Sequence, residues 1–291
     1  MEPELAFIPE NIPETVKRQE IQGGNKARRG LPRPVDYRCY QTAGPIVVDG
    51  RLDEESWQRA PWLGPFVDME KGTPTEFDTR VAFLWDETNF YTAFTLEEPD
   101  VYAYETKRDG GVGGDCEVEV FILGEGVYYE LEMNAINTVY EVFWTWFQPL
   151  VETGDLEGLD RLFMTRRAIY GSLQDDYPGR HGSFDWDFPG LQTAVQIDGS
   201  LNCRPIKDRG WTVEIAFPWA GWTDLAAGKR TIPPADGDVW RIGCSRVEHW
   251  RDEAGTVLRG RDWSICQHGK IQMHLPDRWP YVMFTDEVVG G

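Results

Sequence analysis

The sequence predicts an all-β fold, an antiparallel β-sandwich of the jelly-roll or immunoglobulin-like kind with a few short helices. Three observations support this prediction. Short alternating segments recur along most of the chain, turns such as Asp49-Gly50 and Asp236-Gly237 separate them, and the chain contains 13 Trp, 14 Phe and 11 Tyr. Aromatic residues favour strands, and many short strands with regular turns are typical of a sandwich. A chain of 291 residues is long enough to bury a sizeable core.

The elements follow from local patterns. Residues 1–35 are rich in Pro, Glu, Arg and Gly without periodicity, so we interpret them as an extended N-terminal segment before a domain of residues 36–291. Residues 51–57 have the acidic first turn of a short helix. Strands are predicted at residues 46–48, 79–85, 90–96, 117–123, 128–133, 191–197, 210–217, 239–247 and 281–284.

The net charge argues against a nucleic-acid partner, and the hydropathy argues against a membrane-spanning segment. A formal charge of −20 without a basic cluster argues against nucleic acid as a partner. No apolar run is long enough to span a bilayer, and Leu5 to Ile8 is too short for the core of a signal peptide. We therefore expect an extracellular, periplasmic or cell-surface protein if a signal peptide has been removed from this numbering, and a cytoplasmic one otherwise.

The five cysteines are odd in number and show no CxxC spacing. A disulfide framework or a zinc site is therefore not expected. We predict small buried residues with a free thiol.

The clearest polar pattern lies in the hairpin of residues 117–134. On its two strands, one face would carry Glu117, Glu119, Glu130, Glu132 and Asn134, while the opposite face would be apolar. Three interpretations remain open. The carboxylates form a solvated sheet face, or they bind a polyol beside aromatic side chains, or they catalyse glycoside cleavage, because carboxylates two residues apart on a strand are about 6 to 7 Å apart.

The following segment, residues 141–147 (EVFWTWF), is apolar on both sides of a strand. A carboxylate at Glu141 belongs with the polar face of the hairpin, which predicts that Val142 and Trp144 point into the core. Trp146, close to the end of the strand at Gln148-Pro149, is the residue expected to reach the rim.

Other polar residues are candidate ligands for a sugar or a cation. Arg246 can form paired hydrogen bonds with carboxylates or with vicinal hydroxyls, although a structural Arg–Glu pair explains it equally well. Asp53, Asp109 and Asp115 lie in or beside turns that contain glycine. Such oxygen ligands suit Ca²⁺, and solvated loop charges are the alternative.

Several segments in the same order resemble the family 9 carbohydrate-binding modules and their DOMON-like relatives, and a stand-alone branch of that family most of all. The resemblance covers about residues 40 to 286. It rests on residues 45–57 (PIVVDGRLDEESW), 83–91 (FLWDETNFY), 115–122 (DCEVEVFI), 128–135 (YYELEMNA), 210–219 (GWTVEIAFPW), 240–247 (WRIGCSRV) and 273–279 (MHLPDRW). It implies a β-sandwich whose concave face binds glucose-type or xylose-type sugars and whose loops hold structural calcium ions.

Carried over by position, the resemblance assigns sugar contacts to Glu119, Glu132 and Arg246, and it places Asp115 near a calcium-ligand segment. One feature departs from the family. The tryptophans that sandwich the sugar in related modules would lie near Val112-Gly113 and near Met273, where this chain has no aromatic residue. The ligand-binding residues predicted for this chain are Glu119, Glu132, Asn134, Arg246, Trp146, Trp250 and Trp263.

The sequence thus predicts a non-catalytic protein that binds a neutral glycan or oligosaccharide, with calcium as a structural cofactor. Two alternatives remain open. One is a glycan hydrolase or lyase that uses Glu119 and Glu132. The other is a haem-binding DOMON-like protein with Met133 and His274 as axial ligands.

Overall fold

Fourteen strands run through the described part of this computed structural model, which comprises residues 30–146, 180–252, 254–258 and 260–291 and the backbone of residues 167–170. In chain order they are β1 Asp36–Gln41, β2 Val67–Asp68, β3 Thr79–Trp85, β4 Asn89–Glu97, β5 Glu117–Leu123, β6 Val127–Asn134, β7 Val139–Trp146, β8 Arg167–Tyr170, β9 Arg180–Ser183, β10 Gln192–Asp198, β11 Gly210–Pro218, β12 Val239–Glu248, β13 Arg261–Ser264 and β14 Tyr281–Val288. Two helices, α1 Glu55–Arg59 and α2 Trp219–Ala226, and two 3-10 turns, Val112–Gly114 and Pro276–Arg278, complete this list.

The strands form two layers that share β12. The first sheet has the order β10-β11-β4-β3-β1-β14-β12, and the second has the order β12-β5-β6-β7-β9-β8, with β13 paired to β12 and β2 to β13. Residues 239–241 of β12 pair with β14, whereas residues 242–247 pair with β5. One long strand therefore passes from one layer into the other, and the predicted β-sandwich is confirmed.

Strand β1 makes the first sheet mixed, because it is parallel to both of its neighbours. Tyr37 is opposite Val282 of β14, and Tyr40 is opposite Leu84 of β3. The other paired strands among the described residues are antiparallel, as predicted. Local sequence gave no signal for this insertion, since parallel pairing joins strands that are far apart in the chain.

The main core lies between the two sheets. Phe83, Phe94 and Val213 of the first sheet and Val120 and Leu131 of the second belong to one buried cluster. The alternation predicted for β5 and β6 produces this cluster, because every second side chain of each strand points inward. The other face of each sheet is covered in part by smaller aromatic clusters.

The prediction of a strand at residues 46–48 is wrong. These residues have no ladder partner; the Val47 amide donates instead to Glu54 Oε1 at 3.0 Å, and Ile46 and Val48 pack against the outer face of the first sheet. The short helix begins later than predicted, at Glu55, because Leu52 has a φ of 55°, which is not helical.

Some predictions fall on residues that the structure does not describe. Residues 1–29 and Phe147 lie outside the described residues, so the extended N-terminal segment stays a prediction. Within the described residues, no helix combines the length and the apolar character that crossing a membrane requires.

Candidate functional site

The candidate site is an acidic patch on the outer side of the second sheet. The hairpin of β5 and β6 pairs Glu119 with Glu132 and Val118 with Met133, so the carboxylates share one face and the apolar residues the other, as the sequence predicts. Glu117, Glu119 and Glu130 are almost fully buried and Glu132 is half-buried. We call the surface formed by these four glutamates the acidic face.

The carboxylates of the acidic face lie very close together. One oxygen from each of Glu119, Glu130 and Glu132 can be chosen such that all three lie within 4.8 Å of one another. Among the described residues, this is one of two groups whose geometry could hold a cation. The other consists of Glu98, Cys116 and Glu248, where the Arg246 guanidinium already compensates the negative charge at distances of 2.6 to 2.8 Å.

Burial keeps part of the acidic face protonated. It raises the pKa of Glu119 to about 8 and that of Glu130 to about 7. Burial and then repulsion from neighbouring glutamates raise the pKa values of Glu117 and Glu132. The physical cause is that carboxylates in one poorly hydrated patch cannot all carry charge. The acidic face therefore offers both hydrogen-bond donors and acceptors near neutral pH.

Neighbouring polar side chains fix two of these glutamates. The Ser245 hydroxyl of β12 donates to Glu119 Oε2, and the Trp144 indole of β7 donates to Glu130 Oε2. Ser245 reaches Glu119 because the two residues are directly paired between β12 and β5. The carboxylates therefore have fixed positions before any ligand binds, which lowers the entropic cost of binding.

Aromatic rings flank the carboxylates on the same face. Trp144 is stacked on Tyr128 with ring centroids 5.9 Å apart, and Trp146 contacts the same tyrosine at 5.0 Å. The predicted orientation of β7 is therefore wrong. Val142 and Trp144 point to the acidic face rather than into the core between the sheets. Trp146 does not reach a rim, since it is completely buried.

The orientation of β7 is reversed because Glu141 is satisfied inside the sandwich. Glu141 Oε1 accepts hydrogen bonds from the Tyr129 hydroxyl at 2.6 Å and from the Phe188 amide at 2.9 Å, and Glu141 Oε2 accepts one from Arg108. Burial raises the pKa of Glu141, and these donors partly oppose that effect. Three donors make a buried carboxylate tolerable, so polarity alone did not identify its face.

Glu132 and Tyr140 mark the accessible edge of the acidic face. They are directly opposite each other in the ladder of β6 and β7, and both are half-buried. Sequence reasoning missed Tyr140, although counting outward from the turn at residues 134–138 identifies it. Met133 faces the core and pairs with Val139, so the next residue of β7 must face the carboxylates.

A histidine and an arginine close the inner part of the patch. His274 Nδ1 is 2.9 Å from the Tyr128 hydroxyl, and its Nε2 is 3.7 Å from Glu130 Oε1. Burial, and secondarily Arg180, lowers the pKa of His274. Arg180 lies over the Trp144 ring at 4.7 Å. Sequence reasoning did not assign Tyr128 or Arg180 to the site.

Only some of the predicted sugar-binding residues come together. Glu119, Glu132 and Trp146 share the acidic face, as does Asn134, but the Asn134 amide is fully used by Glu105, Asp115, Ile136 and Thr138. Arg246 pairs with Val118, so it points to the opposite side of the sheet and bonds Glu98 and Glu248 there.

The two remaining tryptophans are elsewhere. Trp263 is buried in the main core, and the Arg246 guanidinium lies 5.0 Å from its ring. Trp250 is half-buried at the edge of a separate pocket. The structure therefore does not bring Arg246, Trp250 or Trp263 to Glu119 and Glu132.

Two of the predicted calcium ligands accept hydrogen bonds from other groups, and the third is exposed. Both oxygens of Asp115 accept hydrogen bonds from the Tyr104 amide, and its Oδ2 also accepts from Glu105 N and Asn134 Nδ2. These N–H donors fit a structural carboxylate rather than a Ca²⁺ ligand. Asp109 Oδ1 accepts from the Glu141 amide at 3.3 Å, and Asp53 is exposed beside α1. Calcium binding at these residues stays a prediction.

The proposed haem ligands lie on opposite sides of the second sheet. Met133 belongs to the core between the sheets, whereas His274 contacts the rings of Phe121 and Tyr128 on the acidic side. Two axial ligands must face each other across one cavity. The structure therefore gives Met133 and His274 no shared haem site.

Comparison with known proteins identifies the fold. No protein-family model and no curated protein matches this chain. A family 9 carbohydrate-binding module from Caldicellulosiruptor kristjanssonii, solved with glucose, aligns over 86% of this chain and 96% of its own with 11% identity and a TM-score of 0.50. The same kind of module from that organism, solved with cellotriose, aligns over 86% and 94% with 11% identity and a TM-score of 0.48.

A Bacteroides uniformis protein that is described as a proposed carbohydrate-binding protein aligns over 86% of this chain and 98% of its own. Its identity to this chain is 13%, and its TM-score of 0.54 is higher than those of the two modules. At such identities, the structures with TM-scores of 0.50 and 0.54 show a shared fold. This chain therefore has the β-sandwich fold found in family 9 carbohydrate-binding modules.

Proposed function

We propose that this protein binds neutral glycans at the acidic face, with Glu119 and Glu132 contacting sugar hydroxyls and Tyr140 stacking on a ring. The observation that carries the proposal is the pairing of half-buried Glu132 and Tyr140 at the edge of an otherwise buried group of carboxylates and aromatic rings. A flat apolar wall beside a few fixed polar groups is the usual composition of a small-ligand site.

The protonation of the acidic face supports a hydroxylated ligand. A sugar hydroxyl both donates and accepts, and a mixture of ionised and protonated carboxyl groups can satisfy both roles. The overall charge of −20 disfavours anionic polysaccharides. The fold adds support for the choice of ligand, since the Caldicellulosiruptor kristjanssonii module was solved with glucose.

The proposal is tested by calorimetry with glucose, xylose, cellotriose and xylotriose, with and without EDTA. We expect saturable binding to the wild type and binding at least tenfold weaker, about 1.4 kcal/mol, in Glu132→Gln and Tyr140→Ala. Glu87→Gln, an exposed change in the turn between β3 and β4, is the matched control and should bind as the wild type does. Failure of every sugar to bind, or equal affinity in all variants, would contradict the proposal.

Thermal unfolding measured with and without EDTA separates the role of calcium from the sugar contact. If calcium supports the loops, EDTA lowers the thermal unfolding midpoint, and added Ca²⁺ restores it. If it has no role, the midpoint and the sugar affinity stay the same in EDTA.

Glycan hydrolysis is a second candidate, and one observation favours it. Glu119, whose pKa is raised to about 8, has a carboxylate oxygen within 4.8 Å of oxygens of Glu130 and Glu132, and retaining glycosidases also use two neighbouring carboxyl groups. A protonated acid beside a carboxylate is the pair that such enzymes use. Reducing ends that accumulate on long incubation, and that disappear in a folded Glu119→Gln variant, would establish hydrolysis; sugar binding without product would establish binding alone.

A further inference from the structure

A separate pocket opens at one end of the sandwich, away from the acidic face. It has a volume of about 380 Å³ and lies between Phe77 before β3, residues 98–100 after β4, and residues 248–251 at the end of β12. We call it the end pocket. Its volume falls in the range of small-ligand sites. We propose that the end pocket is a second binding site, for one neutral hydroxylated ring such as a single sugar residue.

Two aromatic side chains form a wall of the end pocket. Phe77 and Trp250 are both half-buried, with ring centroids 6.4 Å apart at an angle of 62°. Phe77 also contacts the buried Trp263 at 6.1 Å, so the core supports this wall from behind. Trp250 Nε1 finds no acceptor among the described residues, although it is shielded from solvent. A ring that packs against Phe77 and places a hydroxyl oxygen in the plane of the Trp250 indole would accept that hydrogen bond.

A buried carboxylate supplies an unused acceptor. Glu248 is 1% exposed, and its Oε2 accepts two hydrogen bonds from Arg246, at 3.1 and 2.6 Å. Its Oε1 receives no hydrogen bond from an N–H or hydroxyl group of the described residues. A carboxylate has about four acceptor sites, so even a proton shared with neighbouring Glu98 leaves capacity for a ligand hydroxyl. Leaving such an oxygen unpaired costs free energy.

Most of the charged side chains around the end pocket are already paired with one another. Arg246 lies between Glu98 and Glu248, at 2.8 and 2.6 Å. At the rim, Arg251 is paired with Asp100, and Arg204 lies 3.4 Å from the same carboxylate. A charged ligand would have to break these pairs. A neutral ligand with hydroxyl groups uses the free polar atoms and leaves the ion pairs intact.

The end pocket is independent of the acidic face. Ser245, which bonds Glu119, and Glu248 are three residues apart on β12, or about 10 Å along an extended strand. They also point to opposite sides of that strand, because successive side chains alternate and the two positions differ by three. The two sites can therefore be filled or removed one at a time, and each proposal can fail without the other.

The first test is the stoichiometry of sugar binding measured by calorimetry with cellotriose and glucose. We expect two sites in the wild type and one in Trp250→Ala. Trp250→Phe keeps an aromatic ring but loses the indole N–H, so it should keep the second site with a lower affinity. Trp62→Ala, which removes a half-buried tryptophan from the outer face of the first sheet, is the matched control and should keep two sites. Two sites in Trp250→Ala would overturn the inference.

The second test separates the two sites. The double variant Glu132→Gln/Tyr140→Ala should still bind sugar at the end pocket. Adding Trp250→Ala to this variant should abolish the remaining sugar binding. Sugar binding that depends on Trp250 but not on Glu132 supports the end pocket and contradicts the acidic face. Binding that depends on Glu132 alone contradicts the end pocket.

The chemical class is tested on the indole N–H resonance of Trp250, assigned by its absence in Trp250→Phe. Glucose or xylose should shift this resonance in a saturable manner. Indole and choline serve as apolar and cationic probes. A shift with indole or choline and none with sugar would overturn the assignment of a hydroxylated ligand.

Discussion

The Tyr129 hydroxyl donates a 2.6 Å hydrogen bond to Glu141 Oε1 in the interior between the two sheets. Both residues are fully buried, and Glu141 is held further by the Phe188 amide. Removal of one donor leaves a buried carboxylate partly unsatisfied. Tyr129→Phe should therefore lower the free energy of unfolding by about 1 to 3 kcal/mol, measured by urea denaturation.

Tyr40→Phe is the matched control for this change. Tyr40 is half-buried, and its hydroxyl makes no hydrogen bond to the described residues. Its loss should change stability by less than about 0.5 kcal/mol. Equal effects of the two substitutions would show that the bond to Glu141 contributes nothing.

Glu141 also shows where sequence reasoning stops. The alternation of β5 and β6 was predictable because each strand has a clean apolar face that must meet the core. In β7 both faces are largely apolar, so the predicted orientation of the strand depended on Glu141 alone. That orientation was wrong. The donors to Glu141 come from Tyr129, Arg108 and residue 188, which local sequence does not bring together.

The same limit applies to the end pocket. Its residues come from positions 76–77, 98–100, 204 and 248–251, which are far apart in the sequence and meet through the pairing of distant strands. The sequence left a structural Arg–Glu pair open as an explanation of Arg246, and the structure pairs Arg246 with Glu248. It could not identify the cavity beside them, because strand crossing depends on pairing between distant segments.

Gly243 of β12 provides a test of the aromatic packing on the acidic side. A methyl group at this position would lie 2.5 Å from Trp279 Cδ1, and Trp279 is stacked on Phe121 with ring centroids 5.2 Å apart. The Trp279 ring would have to move. Gly243→Ala should lower the free energy of unfolding by about 1 to 3 kcal/mol and change the near-UV circular dichroism.

Gly44→Ala is the comparison for this substitution. Its added methyl group would meet nothing within 4 Å, so stability should stay the same or rise slightly. A Gly243→Ala protein as stable as Gly44→Ala, with an unchanged near-UV spectrum, would show that Trp279 adapts freely.

The reactivity of the thiols should separate the five cysteines. All are free, and Cys39, Cys116, Cys244 and Cys266 are buried, whereas Cys203 is half-buried. Burial raises the pKa of each of the four buried thiols, which lowers the fraction of reactive thiolate. An aromatic disulfide reagent should therefore titrate one fast thiol in the native protein and all five in denaturant.

Cys203→Ser identifies the reactive group. The fast phase should disappear in this variant, while the total in denaturant falls by one. Two or more fast thiols in the native wild type would contradict the burial of the other four.

Stability should decrease as pH rises from 6.5 to 8.5. Burial raises the pKa of Glu98 to about 9, Glu119 to about 8 and Glu130 to about 7, all above the ordinary value of 4.5. The folded state therefore holds protons that the unfolded state has released. Stability from such groups is complete below about pH 4.5 and is lost as pH rises toward 9, by at most about 1.4 kcal/mol per pH unit for each group.

Urea unfolding at pH 6.5, 7.5 and 8.5 tests this sign, because His274, whose pKa is lowered from 6.5, opposes the trend only at lower pH. Glu98→Gln should make the decline shallower, since glutamine has no proton to lose. Glu97→Gln makes the same substitution at the exposed neighbouring residue and should keep the wild-type slope. If both variants flatten the decline equally, general repulsion within a chain of charge −20 explains it rather than the buried carboxyl group.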